Sequence, residues 1–311
     1  MKKNSLIYVA GSSGLIGSGI VKALKAQGYE NILTKSRQEL DLTDRTQVEN
    51  FFAKNKPEYV FLAAAKSGGI YANNTYSAEF IYDNLMIQTN VIDVSCEYDV
   101  KKLLFLVSSC VYPKFCKQPM KEEYLLTGPI ESTNEPFAVA KLAGFKMCQA
   151  YNRQYATNFI CAIPANVYGI NDHFNENAHV LASLIKKFHQ AKMKGLDSVT
   201  IWGSGKPKRE FIFVNDVAYA CIFLMQKYKA NEIINIGTGL ETSIKDLAKL
   251  IAKITDFKGK IIYDTSRPDG NARRLLDSRK IKKLGYRPKI KLEEGLSITY
   301  GWYKNSAFSQ Q

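Results

Sequence analysis

Ser5-Leu6-Ile7-Tyr8-Val9-Ala10-Gly11-Ser12-Ser13-Gly14-Leu15-Ile16-Gly17 begins as a short β-rich apolar run, 5–10, and passes through three evenly spaced glycines into a helical pattern, 18–27. Strand, tight turn and helix in that order leave unpaired backbone N–H groups at the positive helix end, where a pyrophosphate can sit. Gly11, Gly14 and Gly17 supply the tight turn and close backbone approach, with Ser13 and Leu15 on the same phosphate-facing turn. Helix ends and loops also use glycine, so the strand–turn–helix context carries the dinucleotide reading.

The same rhythm continues outward. Runs at 31–35 and 58–65 flank a helical pattern at 44–55, which makes βαβαβ. A further apolar run, 103–108, follows an amphipathic stretch at 76–98, and 159–167 follows another at 136–155. The expected fold is α/β, a Rossmann-type doubly wound parallel sheet with helices on both faces. Regularity weakens after Tyr168-Gly169, where 171–177 reads as a loop before a helix at 178–194. Buried-looking runs at 210–218 and 233–239 suggest a return to the first lobe. The expected division is residues 1–169 plus about 210–239 as the dinucleotide-binding domain, and about 170–209 plus 240–311 as a smaller C-terminal α/β substrate lobe. Ser243-x-x-Asp246 caps a helix in that lobe.

Composition narrows the function. With 46% hydrophobic and 23% charged residues over 311 positions, the chain can bury a sizeable core. No apolar run approaches the roughly 18 to 20 residues that cross a bilayer, and the chain reads as cytoplasmic with no membrane partner. The six cysteines lack paired spacing and only three histidines accompany them, so neither a disulfide framework nor a metal site is expected. The net charge of +14 comes from dispersed lysines without a nucleic-acid-binding signature, which points to anionic small molecules instead.

At the end of the second strand, where an acid would bind the ribose of NAD, stand Lys35, Ser36 and Arg37. Two cations and a hydroxyl suit a 2′-phosphate, so NADP(H) is the expected cofactor. Asp41 to Asp44 can flank the adenine, and Ala63, Ala64 and Ala65 allow close approach after the third strand. The fourth strand ends in Ser108-Ser109-Cys110-Val111-Tyr112-Pro113-Lys114, a cluster of hydroxyl, thiol and cation where a reacting carbonyl should lie. One helix later, Phe137 and Lys141 are four apart and share a face.

Here the sequence resembles the GDP-L-fucose synthase family of extended short-chain dehydrogenase/reductases. The likeness rests on the Gly-x-x-Gly-x-x-Gly turn, Ala63-Ala64-Ala65-Lys66-Ser67-Gly68-Gly69-Ile70, Ala72-Asn73-Asn74-Thr75, Ser108 to Lys114, Asn134-Glu135-Pro136, Tyr151-Asn152-Arg153-Gln154-Tyr155, Trp202-Gly203-Ser204-Gly205 and Arg209-Glu210-Phe211. It covers nearly the whole chain. The resemblance implies NADPH-dependent reduction of the 4-keto group of a GDP-4-keto-6-deoxy sugar, after inversion at carbons 3 and 5. It also implies roles. Ser108 would hydrogen-bond the carbonyl, and Lys141 would bind the nicotinamide ribose and lower the pKa of a phenol at position 137. Cys110 and His179 would be base and acid for the inversions, with Ser109, Asn166, Lys187, Trp202 and Arg209 around the GDP-sugar. Lysine at 187 stands where arginine is common and loses the bidentate fork. His173 stands where the family carries asparagine. Arg273 and Arg274 are weaker candidates, and His173 and His189 read as loop and surface residues. By analogy with relatives, the helices at 76–98 and 136–155 form a homodimer interface.

The departure from the family is Phe137, which keeps the ring and removes the proton. A general acid contributes about 10² to 10⁴ in rate, so the chain as written should reduce slowly while still binding both ligands. Two origins fit: a Tyr→Phe change made to trap a ternary complex, or natural divergence in which Ser108 or water donates. The intact surrounding motifs favour the first. Alternatives to the leading reading are a C4-reductase without epimerisation, acting on a GDP-4-keto-heptose or related sugar, and a catalytically silent NADP(H)-binding protein.

Overall fold

The computed structural model describes residues 1–174, 178–267 and 269–308. The last three positions of the expected 171–177 loop and the final three of the expected second lobe therefore lie outside the described residues. The strands of the first half are Ile7–Ala10 (β1), Ile32–Thr34 (β2), Tyr59–Leu62 (β3), Lys102–Leu106 (β4) and Phe159–Pro164 (β5). Beyond them come Asn166–Tyr168 (β6), Ser198–Trp202 (β7), Lys208–Phe213 (β8), Ile234–Ile236 (β9), Glu241–Ser243 (β10), Lys260–Asp264 (β11) and Arg273–Arg274 (β12). The main sheet is wholly parallel in the order β2-β1-β3-β4-β5-β9. The strands β1, β4 and β5 are buried along their whole length, as a sheet covered on both faces requires.

The covering helices follow the expected alternation. Leu15–Ala26 (α1) and Arg45–Asn55 (α2) flank β2, and Ile70–Thr75 (α3) and Ser77–Glu97 (α4) lead into β4. Glu135–Tyr155 (α5), with Pro136 in its first turn, precedes β5. Val180–Met193 (α6), Val214–Lys227 (α7) and Ile244–Thr255 (α8) follow, then Arg279–Lys283 (α9) and Leu292–Phe308 (α10). The first layer is α1 against α7, and the second is α4 along α5 with α2 beside it. Lys102 fastens α7 to β4: its buried ammonium donates to the carbonyls of Leu224, Met225 and Tyr228 at the negative end of that helix. The Ser243 cap of α8 forms as expected, its hydroxyl accepting from the Asp246 N–H at 3.0 Å.

Two runs fold differently from their sequence reading. The 159–167 run is two strands in two sheets: Pro164 has no N–H to extend the ladder, and 166–168 pair in parallel with 211–213 of β8. Within 210–218, the strand lies in a second sheet with β6, β10 and β12, and only α7 rejoins the first layer. A continuous buried run looks the same whichever sheet receives it. The second core gathers Tyr168, Leu184, Phe188, Ile201, Phe211, Phe213, Leu247 and Leu296 between α6, α8, α10 and the small sheet. His189, read as a surface residue, is buried there and sits 3.2 Å from the Tyr300 hydroxyl.

Glu210, on β8, fixes the second sheet to the loops around it. It is 1% exposed, accepts from the N–H groups of Gly239 (2.6 Å) and Leu276 (2.8 Å), and takes the Thr238 hydroxyl at 3.2 Å. Glu210→Ala leaves those buried donors without a partner, so unfolding in urea should show a loss of about 3 kcal/mol at neutral pH. A loss below about 0.5 kcal/mol would remove the carboxylate from this structural role.

Candidate active site

The main cleft, about 530 Å³, opens at the carboxyl ends of β1, β3, β4 and β5, where ligands of an open parallel sheet bind. Its floor on one side is the glycine turn. Gly11 has φ +80°, and a Cβ there would lie 2.6 Å from the Ala64 backbone; one at Gly17 would lie 2.0 Å from the Gly11 carbonyl oxygen. The helix that follows has no side-chain cap and no acid in its first turn, which leaves its N–H groups and positive end facing the cleft. Ser13, Gly14, Leu15, Ala63, Ala64, Ala65, Lys35 and Arg37 line the same space. A dinucleotide's diphosphate and ribose fit this bare, glycine-lined cradle.

The three residues after β2 divide their tasks in a way the sequence reading did not foresee. Glu39 accepts from Lys35 at 2.9 Å and from both the N–H and hydroxyl of Ser36 at 2.8 Å, and these partners hold its carboxyl down to about 2. Ser36 does not line the cleft. Arg37 makes no hydrogen bond or ion pair among the described residues, which leaves it as the cation free to meet a phosphate there.

Ser108, Ser109, Phe137 and Lys141 line the cleft together. Helical spacing brings Phe137 and Lys141 to one face, with the ammonium 5.8 Å from the Phe137 ring centre and 4.7 Å from that of Phe105. Lys141 is 4% exposed and donates to the Leu106 carbonyl at 3.2 Å. Burial pushes its pKa down to about 8. The Phe137 ring packs edge-on against Phe80, 6.5 Å between centres, so position 137 is held by packing without any hydroxyl. Cys110 sits one step behind the cleft wall, 8% exposed, in the short helical turn that Ser108 caps. Burial raises its thiol pKa, and the Ser108 hydroxyl and the charges of Arg274 and Lys141 oppose that rise.

Lys187, Trp202 and Arg209 do not line the main cleft. They lie on the second lobe, where Lys187 and Arg267 stand over the Trp202 ring at 5.6 and 5.3 Å and the indole is 67% exposed. That is a flat aromatic surface flanked by cations. Arg209 donates to the Lys208 and Asn271 carbonyls, and burial with the nearby Arg274 charge lowers its pKa to about 10. Asn166 reaches the cleft and ties the lobes, donating to the Glu210 carbonyl at 2.7 Å.

On the opposite wall His179 faces the cleft as the cap residue of α6. The residue keeps solvent exposure, yet crowding by the surrounding protein together with the His173 charge lowers its pKa. A side cavity of about 330 Å³ opens beside it, between Lys66, Phe80, Asp172 and His173. In sequence Asp172 reads as a loop residue, and His173 as the loop residue that stands where the family carries asparagine. Asp172 is 8% exposed, accepts the His173 N–H through one oxygen and leaves the other without a partner among the described residues. No residue-type pattern signals this; only burial does. Desolvation raises its carboxyl from 3.8 to about 6, so between those values the folded chain binds more protons than the unfolded one and stability falls as pH rises through that window. Asp172→Asn should therefore gain about 3 kcal/mol near pH 8 and almost nothing near pH 3.5 in urea unfolding, and an equal change at both pH values would exclude a charge effect.

Comparison with known proteins places this geometry. Residues 7–237 match the NAD dependent epimerase/dehydratase family. GDP-L-fucose synthase 1 of Arabidopsis thaliana is 52% identical over 97% of this chain and 94% of its own, and GDP-L-fucose synthase of Sinorhizobium fredii is 50% identical over 94% of each. Among solved structures, MlghC, the GDP-mannoheptose C4 reductase from Campylobacter jejuni with NADP bound, superposes with a TM-score of 0.90 at 42% identity, covering 98% of this chain and 99% of that one. The chain belongs to the NAD dependent epimerase/dehydratase family, in the branch that holds the GDP-L-fucose synthases.

Proposed function

We propose that this chain reduces the 4-keto group of a GDP-4-keto-6-deoxy sugar with NADPH and inverts carbons 3 and 5 beforehand. The observation that carries the reading is the meeting, in one cleft, of the glycine turn, the Ser108 hydroxyl, the buried Lys141 ammonium and the His179 ring. Residues 1–169 with the returning segment near 214–239 form the cofactor side, and the remainder, β8 included, forms the nucleotide-sugar side. The protein works in the cytoplasm as a homodimer built on α4 and α5, a reading supported by the exposed Tyr82 and Val139 on those helices.

Gly11, Ser13, Gly14, Leu15 and Gly17 hold the diphosphate of the cofactor, Arg37 meets its 2′-phosphate beside the Lys35–Glu39 pair, and Ala63 to Ala65 let the backbone approach it closely. When bound, the cofactor supplies hydride to the carbonyl carbon. Ser108 donates a hydrogen bond to the carbonyl oxygen, and Lys141 orients the nicotinamide ribose and keeps positive charge near the forming alkoxide. For the inversions, the Cys110 thiolate removes a proton from a carbon beside the ketone, and the His179 imidazolium returns one to the opposite face. Lys187, Trp202 and Arg209 receive the GDP, with Ser109 and Asn166 at the sugar.

A second reading, reduction at carbon 4 of a GDP-4-keto-heptose without inversion, draws support from the heptose-acting structural neighbour and from the side cavity beside His179, which has room for a longer exocyclic chain. Solvent deuterium separates the two, since inversion labels carbons 3 and 5 and reduction alone does not.

Phe137 sets the rate. Phe137→Tyr should raise NADPH-dependent reduction by about 10² to 10⁴ in kcat with little change in cofactor affinity. No gain would mean that another group already donates the proton. Calorimetry with GDP tests the substrate side separately: absence of binding would leave only a dinucleotide-binding protein.

A further inference from the structure

The segment that carries Arg274 is sewn between the second sheet and the loop after β4. Arg274 pairs in register with Arg209 across β12 and β8, and Leu276 donates to the buried Glu210 carboxylate. On the other side, Leu275 N–H donates to the Gln118 side chain at 2.9 Å, Met120 N–H to the Leu275 carbonyl at 2.7 Å and Asp277 N–H to the Met120 carbonyl at 2.9 Å. Arg274 itself extends this stitching to the catalytic turn: its Nη1 donates to the Ser109 carbonyl at 2.7 Å, and its Nε faces the Asn271 side-chain amide at 3.1 Å. It is half-buried and has no carboxylate partner among the described residues, in contrast to Arg273, which pairs with Glu241 at 2.5 Å.

We propose that Arg274 is a positioning residue for the Cys110 thiol, clamping the Ser109 carbonyl so that the turn carrying Cys110 is fixed, and holding an uncompensated positive charge beside the sulfur. The bond to the Ser109 carbonyl at 2.7 Å places the guanidinium one residue from Cys110, where its charge acts on the thiol. A bond to a backbone carbonyl one residue before the cysteine sets the direction of the following Cα–Cβ bond, and an unpaired cation near a buried sulfur favours its thiolate. The groups that bear on the sulfur are Ser108 from its own turn, Lys141 from α5 and Arg274 from β12; of these, Arg274 alone comes from the second lobe. Its charge also reaches Cys116, whereas Cys96 on α4 feels only Asp93, Asp99 and Glu97. In the proton transfer that this serves, a C–H bond beside the ketone breaks, the S–H bond forms and the electron pair moves onto the carbonyl oxygen, with no oxidant or reductant required.

The inference rests on the reading of Cys110 as the base, but its test needs no sugar. Thiol modification by methyl methanethiolsulfonate, followed across pH by mass spectrometry of each cysteine peptide, reports each thiolate separately. Arg274→Gln should move the Cys110 profile to higher pH and slow its modification near neutral pH by about tenfold, one pKa unit, with a smaller shift at Cys116 and none at Cys96. Arg274→Lys, which keeps the charge, should recover most of the Cys110 rate. An unchanged Cys110 profile in Arg274→Gln would overturn the proposal, as would a parallel change at Cys96, since that would mean general loosening. Loss of deuterium exchange with an intact Arg274 effect would instead remove the epimerase reading and leave the electrostatic coupling standing.

Discussion

Two strands of the main sheet end so close together that the residues beyond them can carry almost no side chain. The Gly11 Cα faces the Ala64 backbone, and a methyl group on Gly17 would enter the Gly11 carbonyl. This crowding occurs where the strand order reverses, between β1 and β3, because the chain leaves β1 first toward β2 and then crosses back to β3. The crevice and its bare helix end follow from that reversal. Ser108, at the end of the next strand, and the helix carrying Lys141 are placed by their distance from it.

A second theme is the use of buried cations without carboxylate partners. Lys141 is satisfied by one carbonyl and two aromatic faces, and Lys102 by three carbonyls at a helix end. Arg209 and Arg274 lie on paired strands and rely on carbonyl oxygens and a side-chain amide. Carbonyl dipoles solvate such a charge without neutralising it, so positive potential persists inside the cleft wall and on the second lobe. Acids near these cations are committed elsewhere, Asp269 to Ser204 and Glu241 to Arg273. An excess of positive charge that looked evenly spread along the sequence is therefore selective in three dimensions.

Much of this was legible in the sequence where chemistry is local. The glycine turn, the strand–helix alternation, the Phe137 and Lys141 pair and the Ser243 cap depend on residues within one turn or one strand of each other. What escaped depends on tertiary placement. The 159–167 run looked like one strand because burial, not sheet membership, shapes its composition. Ser36 looked like a phosphate ligand until Glu39, three residues on, engaged it. Asp172 carries no motif and Arg274 is only a weak candidate in sequence; their significance lies in what surrounds them after folding, and His189 likewise gives no sign in sequence that Tyr300 awaits it.

The edge-on packing of Phe80 against the ring at position 137 separates two properties that enzymes usually lose together. The ring anchors its helix by shape, through packing that needs no hydroxyl. Tyrosine and phenylalanine codons differ by one base. A lineage carrying this scaffold can therefore exchange the two residues by a single mutation in either direction while the ring keeps its packing against Phe80.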